Sequence, residues 1–354
     1  MFASLRLQNF RSYDDGQFEF EDGVTIVVGP NGSGKTSLIE ALVVLCAGSS
    51  YKVADIDLVK YNCDWARLDG VLVGGEERVL KLKLQNEIIA KSYVLQGVER
   101  VRLTAPQKLP VILFEPQDMN IVTGEPSLRR DFLDSILSST NPHYASNLKN
   151  YRRALSQRNA LLKRPNPPRP DELFVWDLRL SELGGVVHSA RKQLIQEFSD
   201  NIKDTYLKIS SKPDEVSVQY INDSNGGDYA ESMLSKLSSG LQKDINRGFT
   251  GTGPHRDDIL LTIRNHDAKV AASRGETRSL LLSLKLLQLN SLELATGKKP
   301  LILLDDVFSE LDGARRQALA AALQGYQTII TTTDADLVIE HFTDKAHIIA
   351  LTAQ

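Results

Sequence analysis

The sequence predicts an α/β protein in which a phosphate-loop lobe with a mixed sheet is interrupted by a second, mainly helical lobe. Three observations carry this. Gly29-Pro30-Asn31-Gly32-Ser33-Gly34-Lys35-Thr36 fits the phosphate-binding pattern G-x-x-x-x-G-K-[ST]. Leu301-Ile302-Leu303-Leu304-Asp305-Asp306 reads as a buried strand ending in two acids. Between them the texture turns helical near Gly124, over an interval far longer than compact nucleotide-binding domains leave between such motifs.

The flanks of the loop fit its pattern. Val24–Val28 is a short β-branched apolar run, a strand, and Thr36–Leu42 has helical spacing. A strand therefore feeds a glycine-rich turn that opens a helix. The glycines let backbone N–H groups converge on phosphate oxygens, and the helix N-terminus adds partial positive charge there. Lys35 can reach the β- and γ-phosphates of ATP, and the Thr36 hydroxyl can ligate Mg²⁺. At the second motif, ligands of α/β sheets bind at strand C-terminal edges, where Asp305 can hold Mg²⁺ opposite Thr36. Asp306 is then placed to orient or deprotonate the attacking water.

Composition bounds the rest. The chain has 354 residues, 42% hydrophobic and 25% charged, enough for one large or two modest domains. A net charge of −3 excludes a global basic field, so any nucleic-acid contact must come from a local patch. Cys46 and Cys63 lack metal-ligand spacing, and Cys46 sits in an apolar run, which suits core packing in a reducing cytosol. With no signal-peptide h-region at Met1–Arg6 and no bilayer-length apolar run, a cytoplasmic protein without membrane contact is expected.

In chain order, residues 2–28 and 66–103 alternate apolar and polar as strands do, with a turn at Asn9–Tyr13 carrying Arg11. Val111–Phe114 is a further strand. Helices follow from Pro126, from Pro142 to Leu162 and, after the proline-rich linker Arg164–Pro170, from Asp171 to about Ile209 as one helix or two. A strand at 216–221, a loop at Asn222–Asp228, a helix over Met233–Ile245 and a strand at Ile259–Ile263 come next. Thr277–Ala295 is an apolar helix closed by Gly297, Ala314–Leu323 a helix and Thr328–Thr331 a strand. No sustained heptads argue for long coiled-coil arms. Lobe boundaries fall at 1–124 with 298–354, and 125–297.

Ser273-Arg274-Gly275-Glu276-Thr277-Arg278 lies one helix upstream of Asp305. A serine hydroxyl and a free glycine N–H at a helix N-terminus make an anion site. With the chain's own phosphate loop already serving the cis position, Ser273 and Gly275 are read as capping the γ-phosphate of a second copy, in a head-to-tail pair with two-fold symmetry. The segment resembles the signature motif of ABC-type ATPases. Ser309-Glu310-Leu311-Asp312 resembles their D-loop and Gln117 their metal- and γ-phosphate-sensing glutamine. Thr331-Thr332-Thr333-Asp334 ends the strand where transporter ATPases carry a histidine, and none is present. Together these mark an ABC-type ATPase head without a long coiled coil. The missing histidine and the large inserted lobe argue against a transporter subunit, and the signature-like segment against a kinase.

Nearly end to end the chain resembles the RecF family of bacterial recombination proteins. The residues that carry this are Leu7–Tyr13, Leu113–Asp118, Gly124–Pro126, Arg129–Asp134, Tyr151–Leu155, Gln157–Leu162, Gly253–Asp258 and Ser283–Leu286. One departure is Glu276, where the family usually has glutamine. The resemblance implies a weak DNA-dependent ATPase that dimerises on ATP, binds duplex DNA and duplex/single-strand junctions, works with RecR and RecO, and helps load recombinase at gaps. It implies a catalytic set of Asp306, Lys35 and Gln117, metal contacts at Thr36, Asp305 and Gln117, and nucleotide contacts that add Ser37 and Arg11 to the loop. Lys149, Arg152, Arg153, Arg158, Lys163 and Arg164 occur with no acid between them, a patch that can neutralise DNA phosphates without reading bases. His255 reads as a hydrogen-bonded structural histidine.

Overall fold

The computed structural model describes residues 1–164, 166, 169–224, 227–342 and 346–352. Pro165, Pro167 and Pro168 of the expected linker, and Asn225 and Gly226 of the expected loop, lie outside the described residues. The chain divides into two units, Met1–Asp118 with Gln288–Gln354, and Met119–Leu287.

The first unit opens with β1 (Phe2–Phe10), β2 (Tyr13–Glu19), β3 (Val24–Val28), α1 (Lys35–Ala47), β4 (Trp65–Leu72), β5 (Glu77–Gln85), β6 (Ile88–Leu95), β7 (Val98–Arg100) and β8 (Val111–Phe114). The second unit contains α2 (Asn120–Thr123), α3 (Pro126–Thr140), α4 (Pro142–Leu162), α5 (Pro170–Ser210), β9 (Val216–Ile221), α6 (Tyr229–Ser239), α7 (Leu241–Arg247), β10 (Asp258–Ile263), β11 (His266–Asp267) and α8 (Ala268–Ala271). The division falls inside α9 (Arg274–Thr296), after which β12 (Leu301–Asp305), α10 (Gly313–Ala322), β13 (Thr328–Thr332), α11 (Asp336–Ile339) and β14 (His347–Ala350) complete the first unit. Both divisions thus fall earlier in the chain than 124/125 and 297/298. Ile121 and Val122 of α2 join a core of the second unit, and α9 runs unbroken across the later division to end at Thr296, just before the expected boundary.

The first unit holds antiparallel and parallel pairing in separate sheets. One is antiparallel, in the order β2-β1-β4-β5-β6-β7, and the other parallel, in the order β14-β3-β13-β12-β8. Leu5 and Leu7 of β1 point inward while Arg6 between them is exposed, the period-two pattern of a half-buried sheet. β12 and β13 are buried along their whole lengths, as a covered parallel sheet requires. Ten of the thirteen residues of α1 are buried, so α1 is apolar on nearly every side. It contributes Leu38 and Leu42 to one core shared with Leu68 and Leu80 of the antiparallel sheet and Leu303 and Ile329 of the parallel one. The loop that precedes α1 is thereby held against a helix that cannot shift without disturbing both sheets.

In the second unit, α5 is one helix of 41 residues, and α6 and α7 are separate helices that meet at Gly240. Asn141 starts α4 by accepting the N–H groups of His143 and Tyr144. Tyr144, Leu148 and Tyr151 of α4 pack on Leu180, Leu183 and Val187 of α5 and on Met233 and Leu237 of α6. A second core joins Phe132, Phe198 and Ile202 to Val216 and Val218 of β9 and Ile259 and Leu261 of β10. Among the described residues no helix is long and apolar enough to cross a membrane.

Arg158 corrects the surface reading of α4. It is fully buried, with Nε 2.5 Å from Asp177 Oδ1, and Nη1 2.6 Å from Asp244 Oδ2 and 2.9 Å from Thr250 Oγ1. It stands seven residues after Tyr151 and four before Leu162, on the inward face of its helix. Burial pushes the Asp177 carboxyl upward against the pull of this guanidinium. Replacing Arg158 with Met would leave two buried carboxylates without their cation. A loss of about 3–5 kcal/mol is expected, read as a lowered urea midpoint. A variant of unchanged stability would refute the structural role.

Candidate active site

The C-terminal edge of the parallel sheet gathers the residues named from sequence. The phosphate loop leaves β3, Asp305 ends β12, Thr331 and Thr332 end β13, and Glu115 follows β8. β13 pairs with both β3 and β12, so the strand carrying Asp305 is separated from the loop strand by one neighbour. Gly34 caps α1 at φ +94°, a left-handed conformation that favours glycine, and a β-carbon there would stand 2.6 Å from the Tyr13 hydroxyl oxygen. Tyr13 donates from that hydroxyl to the Gly34 carbonyl over 3.1 Å. The Lys35 ammonium is held back on its own loop, donating to the carbonyls of Gly29 at 2.7 Å and Pro30 at 3.0 Å.

A cavity of about 430 Å³ opens in front of this loop. Asn31, Gly32, Gly34, Lys35, Thr36, Ser37, Gln117, Asp305 and Asp306 all line it, with Ser12, Lys52, Glu115 and Pro116. Gly29 and Pro30 contribute the carbonyls that hold Lys35, and Ser33 is buried behind the loop. Thr36 Oγ1 donates to Asp305 Oδ1 at 3.3 Å, and Thr331 Oγ1 donates to the same oxygen at 2.7 Å. The Asp306 N–H in turn donates to Thr331 Oγ1 at 3.1 Å. Asp306 lies at φ +55°, with Ser309 Oγ donating to its carbonyl at 2.7 Å and its carboxylate at 3.3 Å. Three carboxylates, Glu115, Asp305 and Asp306, thus face the cavity beside two lysines, Lys35 and Lys52. Burial first, and then the carboxylates of Glu115, Asp305 and Glu40, push the nearby Tyr51 phenol far above its ordinary range.

A polyphosphate in this cavity needs a cation to offset those acids. The adjacent hydroxyl and carboxylate oxygens of Thr36 and Asp305 are the hard donors Mg²⁺ takes. Among the described residues no group of three or more His, Cys, Asp or Glu forms a metal cage. This donor set therefore suits a metal that completes its shell with phosphate oxygens and water.

Arg11 stands elsewhere than in this cavity. In left-handed conformation at φ +54°, it places Nε 2.8 Å from the buried Glu40 carboxylate and donates from Nη1 to the Asp57 carbonyl at 3.1 Å. It lines an adjoining cavity of about 740 Å³ that shares Ser12 and Ser37 with the first. Glu40 accepts a further bond from Ser50 Oγ at 2.5 Å, and Ser50 Oγ accepts the N–H groups of Lys52 and Val53. Tyr13, Glu40, Ser50 and Thr331 are the members of this arrangement that sequence reasoning missed. A pattern match names the loop but not what braces it.

Ser273 and Gly275 begin α9 in the second unit, with Ser273 exposed. Glu276 closes a capping box with Ser273: the Ser273 N–H donates to Glu276 Oε2 at 2.8 Å, and the Glu276 N–H approaches Ser273 Oγ at 3.4 Å. Its other oxygen accepts from Arg264 Nη1 at 2.8 Å. The helix therefore starts at Arg274, ahead of the expected Thr277. The Arg264 guanidinium, and then the Ser273 N–H, hold the Glu276 carboxyl at about 2.

The α4 cations have different fates. Arg158 is in the core, Arg152 reaches Asp134 at 3.0 Å, Arg164 lies 3.8 Å from Glu172, and Lys149, Arg153 and Lys163 are exposed. His255 receives the Tyr151 hydroxyl proton at Nδ1 over 2.6 Å and donates from Nε2 to the Thr250 carbonyl over 3.0 Å, the tautomer its two partners require. Burial depresses it to about 4, so it is a neutral structural histidine at pH 7.

The AAA domain family matches residues 4–299. A DNA replication and repair protein RecF of Staphylococcus aureus (strain JH9) is 33% identical over 346 residues, covering 94% of this chain and 93% of the relative. The solved structure of the recombination mediator protein RecF-ATPrS in the RecFOR pathway superposes with a TM-score of 0.86 at 29% identity, covering 96% of this chain and 94% of the other. An Smc head bound to the C-winged helix domain of ScpA shares the fold, at a TM-score of 0.55 and 16% identity over 99% of this chain and 94% of the other.

Because folding lowers the Glu276 pKa, the stabilisation it brings is present above the ordinary glutamate range and is lost as pH falls through about 2. Carboxyl-carbon NMR is expected to show that titration near pH 2, and to show it rising towards the ordinary range in Arg264→Ala. An unmoved value would remove Arg264 as the cause.

Proposed function

The chain belongs to the RecF family of DNA replication and repair proteins and carries an AAA domain, and from that premise we propose that it is an ATPase whose nucleotide acts as a dimer switch on DNA. The observation that carries the reading is the approach of Thr36 Oγ1 to Asp305 Oδ1 at the mouth of the phosphate loop.

In this reading the triphosphate lies in the loop cavity. Loop N–H groups and the α1 terminus receive it, and Lys35 exchanges the carbonyls of Gly29 and Pro30 for phosphate oxygens. The nucleoside extends into the adjoining cavity past Ser37 and Arg11. Thr36 and Asp305, with Gln117 beside them, would hold Mg²⁺, whose charge would offset that of the phosphates. Asp306, fixed by Thr331 and Ser309, orients the attacking water and takes its proton. Ser273 and the Gly275 N–H cap the γ-phosphate bound by a second copy, so each composite site needs two chains. Glu276 is already occupied by Arg264 and the Ser273 N–H, which reconciles an acid at this position with an anion site beside it.

The remaining roles follow from family membership. They are slow, DNA-stimulated hydrolysis, binding of duplex DNA and duplex/single-strand junctions, action with RecR and RecO, and help in loading recombinase at gaps.

Sedimentation with ATP, ADP and a gapped duplex tests the whole reading. Dimers on DNA are expected with ATP and monomers with ADP, and identical behaviour with both nucleotides would overturn it. Ser273→Arg is expected to abolish ATP-induced dimers while monomers still bind ATP; dimers at wild-type level would end the trans-cap assignment. Asp306→Asn is expected to slow turnover by about 100-fold or more and to prolong dimers. Unchanged turnover would move the water-orienting role elsewhere.

A further inference from the structure

The second unit neutralises most of the arginines around its buried network. Arg129 pairs with Asp258 at 2.7 Å, Arg152 and Arg191 with Asp134, and Arg158 with Asp177 and Asp244. Several cations of the unit are outside this pattern, Lys149 and Arg153 of α4 among them; three of them, Lys163, Arg247 and Arg130, stand against one loop, residues 248–257, and a fourth, Arg256, belongs to it. The Lys163 side chain passes Gly248, its Cγ 3.5 Å from where a β-carbon would be. Arg247 brings Nη1 within 3.8 Å of the equivalent point at Gly251. Arg256 lays its guanidinium 4.8 Å from the centre of the Phe249 ring and donates to the Thr250 carbonyl at 3.3 Å. Arg130 donates to the Asp257 carbonyl at 2.8 Å. Among the described residues none of these four has a carboxylate ion-pair partner.

The loop beneath them is stiff. Thr250 is buried, its N–H and hydroxyl both donating to Asn159 Oδ1 at 2.8 and 2.7 Å. The Gly251 N–H donates to Asp244 Oδ1 at 3.0 Å, and His255 is clamped between Tyr151 and the Thr250 carbonyl. Gly253 holds φ +131° with Tyr151 Oη 2.6 Å from its missing β-carbon, so only glycine fits the turn. The buried network consumes the nearby acids as well: Asp244 serves Arg158 and the Gly251 N–H, Asp257 faces Tyr220 and Tyr229, and Asp258 serves Arg129. Burial and then the charge of Arg191 lower the pKa of Arg130, with Asp258 and Asp131 offsetting part of the shift.

We propose that loop 248–257, with Lys163, Arg247, Arg256 and Arg130, is the surface on which this protein receives the phosphodiester backbone of nucleic acid. The assignment rests on the DNA-binding reading above and gives it a surface, displacing the contact from the face of α4. Cations strung along a preformed loop match a row of phosphates and cost little reorganisation on binding. Phe249, 38% exposed, supplies an aromatic flank for a sugar or unstacked base.

Anisotropy titrations of the full-length chain, with ATP and Mg²⁺, against labelled duplex over a salt series test this. Lys163→Gln/Arg247→Gln/Arg256→Gln is expected to weaken binding by about tenfold or more and to reduce the salt slope by about 2–3, at ~0.9 for each phosphate no longer neutralised. Lys149→Gln/Arg153→Gln on α4 should stay within about twofold of wild type. The reverse ranking would overturn the loop assignment while leaving DNA binding intact. A wild-type chain that binds no duplex would overturn the DNA reading and this surface with it. Acetylation of the wild-type chain gives a readout without variants: duplex should protect Lys163 more than Lys149, and equal protection would count against the loop.

Discussion

One carboxylate oxygen organises the first unit. Asp305 Oδ1 receives hydroxyl protons from Thr36 and Thr331, which lie on opposite sides of a long stretch of chain. That convergence depends on β12 being buried along its whole length between β13 and β8, because a strand with no exposed face has no freedom to slide in register. A register shift of one residue would turn Asp305 into the sheet and present Leu304 to the phosphate loop. The apolar stretch Leu301–Leu304 therefore acts on chemistry as much as on stability, by fixing where the acid after it must stand.

Thr331 illustrates how the fold couples two acids that sequence places side by side. Consecutive residues at a strand end would ordinarily point to opposite faces. Here Asp306 leaves the strand in left-handed conformation, and its N–H returns to the Thr331 hydroxyl that also serves Asp305. One hydroxyl, donating to Asp305 and accepting from Asp306, links the two. Sparse conformations of this kind cluster where geometry matters more than local comfort. On the other flank, Glu40 ties the Arg11 turn to the Ser50–Val53 segment from inside α1, so both walls beside the loop lean on one buried carboxylate.

The second unit uses charge differently. Its core carries Arg158 and Arg191 with their carboxylates among tyrosines. Such pairs return little net stability against well-packed apolar groups, and breaking one is costly. Their visible consequence is a loop whose backbone is fixed by side chains from α4, α5 and α7, with the surrounding acids already engaged.

The phosphate loop, the helix it opens and the acid-tipped strand were all legible in the sequence, because each is specified within a few residues by steric freedom and side-chain period. Arg158 was misread as part of a surface patch. A run of cations resembles a solvated face unless its buried partners, Asp177 and Asp244, are known. Those lie beyond α4 in the chain, and nothing local announces them. Arg11 was recognised as part of a turn, yet its engagement by Glu40 follows only once β1 and α1 are packed together. By itself, then, the sequence determined the elements and the chemistry they could carry, since both follow from local backbone and side-chain properties. Tertiary structure alone decided which polar groups meet. Hydrogen bonds act over about 3 Å, a distance that chain separation does not constrain and only packing can close.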